Sequence, residues 1–186
     1  MNKNEAGFSY ADTMVGITIM MIGMMALAGT IGASMVRSRQ QEQQLRAKQY
    51  AVSTMESVMS ARDINANGLQ NGWDSIGNIG SNIVSGTARG VFLNGEQALK
   101  ENAGADEVVG TGDDSGNTVS GVTREIIITD VCDPDRPSPG CSPAGTNPIM
   151  ARKITVKIRY PANPFSGVTA STTKLTETIS TVLTKF

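Results

Sequence analysis

Three places in this sequence have residue types and spacing that could do chemistry. Asp12 stands at the mouth of a run of 24 residues without a charge, 13–36. A carboxylate beside such a run is costly in lipid, roughly 2.5–3.5 kcal/mol at mid-bilayer, and marks a functional position. Cys132 and Cys141 bracket eight residues that include Pro134, Pro137, Pro139 and Gly140. They could close a disulfide in an oxidising compartment or stay as two thiols in a reducing one. The string Gly112-Asp113-Asp114-Ser115-Gly116-Asn117 offers oxygen ligands. It lacks the Asp-x-Asp-x-Asp-Gly spacing and distal glutamate of an EF-hand, so a solvated turn fits it better than a calcium loop.

What is missing narrows the chemistry further. The chain has no histidine, which removes the usual general base, the commonest metal ligand and a Ser-His-Asp triad. Two cysteines are too few for a four-thiolate zinc site. No nucleotide-binding GxxxxGK[ST], no GxSxG and no HExxH occurs. Sixteen basic against seventeen acidic residues leave a charge of −1, with no excess of positive charge for nucleic acid. The expectation is a structural or binding protein, not an enzyme, with no cofactor and no metal.

Asp12 must be positioned by what surrounds it. As a helix, residues 13–36 extend about 36 Å at about 1.5 Å per residue, enough to cross about 30 Å of hydrocarbon. The run is apolar on every side, unlike a surface helix. Gly16, Gly23, Gly29 and Gly32 would weaken a helix in water but permit close backbone approach in a bundle or membrane. The run is too long for the core of a secretory signal peptide, and its start, MNKNEAG, has one lysine and one glutamate. A plain membrane anchor is the simpler competitor.

The string Gly7-Phe8-Ser9-Tyr10-Ala11-Asp12, followed by the apolar run, resembles the class III signal of type IV pilins and type II secretion pseudopilins. That family has a short polar leader, a glycine, then Phe-Thr-Leu-Ile-Glu and a long apolar helix. Here Ser9, Tyr10 and Ala11 replace Thr, Leu and Ile, and Asp12 stands in the glutamate's place. The resemblance covers residues 1–62 by motif and the remainder only by layout, in which a V-type minor pilin is the nearest fit. It implies cleavage between Gly7 and Phe8 by a prepilin peptidase and N-methylation of Phe8. It also implies a filament-assembly role for Asp12, whose carboxylate would neutralise the terminal amine of a neighbouring subunit. Partners follow from the same resemblance: other pilin or pseudopilin subunits, an inner-membrane assembly platform and the membrane. The protein would be held in the inner membrane with its head outside the cytoplasm, then move into a pilus or pseudopilus. In that compartment Cys132 and Cys141 would form a disulfide. Arg37, Arg39, Arg46 and Lys48 follow the apolar run, and the positive-inside rule alone would orient the chain the other way. The motif is followed here, since the leader must face a cytoplasmic processing site.

The remaining elements are read from period and composition. Residues 37–62 contain no Gly or Pro and continue the helix, with Leu45, Val52, Met55 and Met59 spaced as a core stripe that Ala51 and Val58 widen. Asn65-Ala66-Asn67-Gly68 ends it. Twelve of the twenty glycines fall in 68–121, which reads as a loop-rich connection with one helical turn at 95–102 and Trp73 as its anchor. Residues 122–131, 150–160 and 172–184 alternate with period two and form an antiparallel meander. In the second strand Ile154, Val156, Ile158 and Tyr160 share the inner face; in the third, Leu175, Ile179 and Leu183 do. The expected fold class is α+β, a long N-terminal helix packed on an antiparallel β-sheet head, as in pilins. Its segments are a leader (1–7), a membrane or filament-core helix (8–36), an amphipathic continuation (37–62), a glycine-rich connection (63–121) and a β-meander (122–186). The rival reading is a single-pass, membrane-anchored extracytoplasmic binding protein that does not polymerise. An enzyme tethered to the membrane would need a catalytic cluster the residues do not offer.

Overall fold

A computed structural model describes residues 9–63, 72–132, 149–162 and 174–185. Helix α1 (Tyr10–Asp63) is continuous over 54 residues. The chain divides into two units, Met1–Glu42 and Gln43–Phe186.

In the first unit, Ser9 caps the helix. Its carbonyl accepts the N–H of Asp12 at 3.0 Å, and its Oγ accepts the N–H of Ala11 at 3.4 Å. From Tyr10 onward every residue of this unit is exposed. One 18-residue window has a mean hydropathy of 2.0, none of it buried, so the helix is long and apolar enough to cross a membrane. The hydroxyls inside this stretch are satisfied by the helix itself: Thr18 Oγ1 donates to Met14 O and Thr30 Oγ1 to Leu27 O, both at 2.8 Å. Internal satisfaction of polar groups is what a segment without water around it requires.

The second unit is a four-stranded antiparallel sheet, β3 (Gln97–Asn102), β4 (Ser115–Val131), β5 (Ala151–Pro161) and β6 (Lys174–Thr184), adjacent in chain order. The α+β expectation therefore holds, with one strand more than the meander anticipated. Residues 97–102 form a strand, not the helical turn expected there. Ala98 and Lys100 pair with β4 and Leu99 is buried, so sheet pairing overrides a helix-permissive sequence. Strand β4 starts seven residues before position 122. Gly116 and Gly121 sit inside it at φ 85° and 73°, absorbing the register shifts against β3 that residues with a Cβ would resist.

Alternation decides the core. Ile154, Val156, Ile158 and Tyr160 of β5 are buried, as expected; of the three β6 residues, Leu183 is buried, Ile179 is partly buried and Leu175, against expectation, is exposed. The α1 residues in this core are Ala47, Ala51, Met55, Val58 and Ala61, with Met59 partly buried. Leu45 and Val52 are exposed, against the expected stripe. The buried face is centred on alanines, whose small side chains let the helix lie close to its neighbours, and the larger Leu45 and Val52 fall on its outer side.

From Gly72 onward the glycine-rich connection is held by specific contacts. Trp73, on the short helix α2 (Gly72–Ser75), is buried as the expected anchor. A Cβ at Gly72 would lie 1.9 Å from Arg62 O, so only glycine lets the chain pass there. Strands β1 (Ile83–Val84) and β2 (Thr87–Ala88) form a hairpin. Its turn has positive φ at both Ser85 and Gly86, the type I′ pattern that matches strand twist. Beyond β3's reach, the edge of β4 is closed by one side chain: Asn78 donates to Ile126 O at 2.8 Å and accepts from Ile128 N at 3.0 Å.

Candidate functional site

Of the residues the sequence singles out, Gly7, Phe8 and Cys141 lie outside the described residues. Asp12 is described. It is exposed at the third position of α1, and its Oδ2 accepts the backbone N–H of Ser9 at 3.4 Å. Ser9 and Asp12 thus form a reciprocal cap that favours the helix start, and the carboxylate also complements the helix dipole. Among the described residues its carboxylate makes no other hydrogen bond or ion pair. Cys132 directly follows β4 and is disulfide-bonded.

The acidic string 112–117 is exposed, as the solvated-turn reading expects, at every residue but Asp114. Asp114 is buried and pairs with buried Arg124 at 2.5 Å. Its two oxygens also accept the N–H of Gly110, at 3.2 and 2.9 Å. Asp113 accepts from Thr111 Oγ1 at 2.6 Å and from the N–H groups of Ala105 and Asp106; the Thr111 bond foremost holds its carboxyl below the usual range. These acceptors serve the chain's own donors. Among the described residues no group of three or more Asp, Glu, Cys or His is placed to hold a metal.

Two arginines on the inner face of the sheet carry charge into the core. Arg124 in β4 and Arg152 in β5 are in phase with the apolar residues of their strands, and both are buried. Arg152 Nε pairs with Asp130 at 3.0 Å, directly across the sheet. Its Nη1 donates to the carbonyls of Trp73 and Ile76. Burial pulls both guanidinium groups below their ordinary pKa, while Asp114 and Asp130 push them back. Sequence reading missed both residues, although period two would place Arg152 on the same face as Ile154.

On the outer face, Glu96 accepts from Thr123, from Lys174 at 2.7 Å and from Arg159 at 3.0 Å. Arg159 also reaches Glu125 at 2.7 Å. The Lys174 bond, then the Thr123 bond, hold the Glu96 carboxyl below its ordinary value. This network ties the loop before β3 to β4, β5 and β6. Its groups neutralise one another, and it offers no nucleophile poised against a base.

Comparison with protein-family models, with curated proteins and with solved structures finds no match to this chain.

Proposed function

We propose that this chain is a prepilin-like structural subunit of a type IV pilus or type II secretion filament, a minor pilin or pseudopilin. The observation that carries the reading is one continuous helix that joins the Gly7-Phe8…Asp12 signature, through an exposed, charge-free span, to a segment that packs in an α+β head. A helix with no covering on any side needs lipid or other helices around it. Removal of residues 1–7 would free an α-amine at Phe8. In a filament that amine and the Asp12 carboxylate of an adjacent subunit would form an ion pair fixing axial register, since either charge alone among apolar helices is costly. Nothing in the chain's motifs supplies nucleotide hydrolysis, so energy for assembly comes from a separate ATPase.

Mass spectrometry of the membrane-extracted protein tests this. The expected product starts at Phe8 and carries one added methyl group; Gly7→Ala blocks its formation. An intact chain starting at Met1, in cells with an active prepilin peptidase, overturns the reading.

A second reading, a single-pass anchored extracytoplasmic binding protein that never polymerises, is favoured by one observation. The Ser9–Asp12 bond gives the acid a local capping role that needs no neighbouring subunit.

A further inference from the structure

An asparagine followed by glycine is a reactive pair, because glycine has no Cβ to shield its amide nitrogen from the asparagine side chain. Asn94-Gly95 is such a pair with both residues described, in the loop that leads from Phe92 to β3. Its surroundings leave the reaction open. Asn94 is exposed, whereas Asn82 is buried and Asn78 half-buried. Gly95 stands at φ 73° with nothing within 4 Å of where a Cβ would lie. Its N–H donates to no acceptor among the described residues. Asn94 Nδ2 makes one hydrogen bond, to Ile79 O at 2.9 Å, so a single surface contact holds the carboxamide. Asn78, Asn82, Asn102 and Asn117 precede Ile79, Ile83, Ala103 and Thr118, whose side chains crowd the nitrogen that would have to attack.

We propose that Asn94 is a site of spontaneous modification with water as its co-reactant, and that the change loosens residues 77–79 from residues 92–94. The Gly95 nitrogen attacks Asn94 Cγ. The N–Cγ bond forms, the Cγ–Nδ2 bond breaks, the proton on Gly95 N is given up and ammonia departs, leaving a succinimide ring. Water then adds to one of the two ring carbonyl carbons, the ring bond from that carbon to nitrogen breaks, and the nitrogen regains a proton. Opening at Cγ gives aspartate; opening at the backbone carbon gives isoaspartate. Either product has a carboxylate in place of the carboxamide, so the donor to Ile79 O is lost and acceptor faces acceptor. Ile79 N donates to Phe92 O at 2.8 Å and Phe92 N to Gly77 O at 3.0 Å, so the lost bond is the one that closes the end of this short ladder. The new charge also lies two residues from Glu96, beside its pairs with Lys174 and Arg159. The inference does not depend on the filament reading.

Peptide-level mass spectrometry of the full chain in detergent micelles, followed over days at mildly alkaline pH, tests it. A synthetic peptide of residues 90–98 serves as the reactivity control. Asn94 is expected to convert ahead of Asn78, Asn82, Asn102 and Asn117, with isoaspartate beside aspartate. Gly95→Ala should slow the conversion roughly tenfold, because a Cβ shields the attacking nitrogen. Isoaspartate, which requires the ring, decides the matter if Gly95→Ala does not fold. Asn94→Asp imitates one product in a uniform sample and should speed amide exchange at Ile79 and Phe92. Asn94 left intact while the peptide converts, aspartate formed without isoaspartate, or a folded Gly95→Ala protein converting at the unaltered rate overturns the modification. Unchanged exchange at Ile79 and Phe92 in Asn94→Asp overturns the loosening.

Discussion

The Arg152 guanidinium lies 4.5 Å from the centre of the Trp73 ring, joining residues 79 positions apart. Arg152 also bonds the carbonyls of Trp73 and Ile76, so one strand residue closes the turn that follows α2 and supplies a cation–π contact to its only tryptophan. Replacing Arg152 by methionine keeps the volume but leaves those carbonyls and Asp130 without their donor. A loss of about 3–5 kcal/mol is expected, read in urea unfolding by Trp73 fluorescence. Arg152→Lys should rescue little, since an ammonium cannot match the planar fork. A loss below 1 kcal/mol would show that the site is not closed as described.

The buried Arg124–Asp114 pair predicts a distinctive mutant cycle. Arg124→Met and Asp114→Leu should each cost about 3–5 kcal/mol, because each strands a buried charge. Together they should cost less than the sum of the two singles, since the double variant strands neither charge. Gly110 N would still lack its acceptor, so recovery is incomplete. Strict additivity in chemical unfolding would argue against a direct pair.

Asn78 should be among the most sensitive polar residues of the connection. Asn78→Ala removes the side chain that satisfies Ile126 O and Ile128 N, and buried backbone groups left open cost about 1–3 kcal/mol each. Amide hydrogen exchange at Ile128 should accelerate in the variant ahead of the rest of β4. Unchanged protection there would contradict the geometry.

Acid should weaken the head through Glu96 and Asp113. Both carboxyls are held below their ordinary values in the folded chain. As pH falls, the unfolded chain therefore takes up protons first. The stability they contribute is complete above the ordinary carboxylate range and is lost as pH drops through their lowered folded values. Both groups are exposed, so the effect is modest and decreases with salt. Glu96→Gln should flatten the acid limb of a pH-stability curve; an unaltered limb would assign acid sensitivity elsewhere.

Asp12 separates a cap from a filament charge. Loss of the cap by Ser9→Ala should cost about 0.5–2 kcal/mol of helix stability at most. If Asp12 only caps, Ser9→Ala and Asp12→Ala should behave alike in assembly. If it pairs with a neighbouring amine, Asp12→Ala should be processed normally yet abolish fibres, while Ser9→Ala still assembles. Normal fibres from Asp12→Ala would refute the charge pair.

The sequence by itself determined the elements whose signals are local. The apolar run and its Gly/Pro-free continuation dictate one long helix, because helix hydrogen bonds close within a few residues. The alternation at Ile154, Val156, Ile158 and Tyr160 dictates an inward face of a strand for the same reason. Tertiary structure alone decided which helix residues are buried, since Leu45 and Ala51 both lie at acceptable periods and only the packing surface chooses between them. It also decided that residues 97–102 are a strand, that Asp114 faces a buried arginine instead of water, and that Asn78 closes the edge of β4. Each depends on a partner 10 to 50 positions away, and no local propensity encodes such a partner.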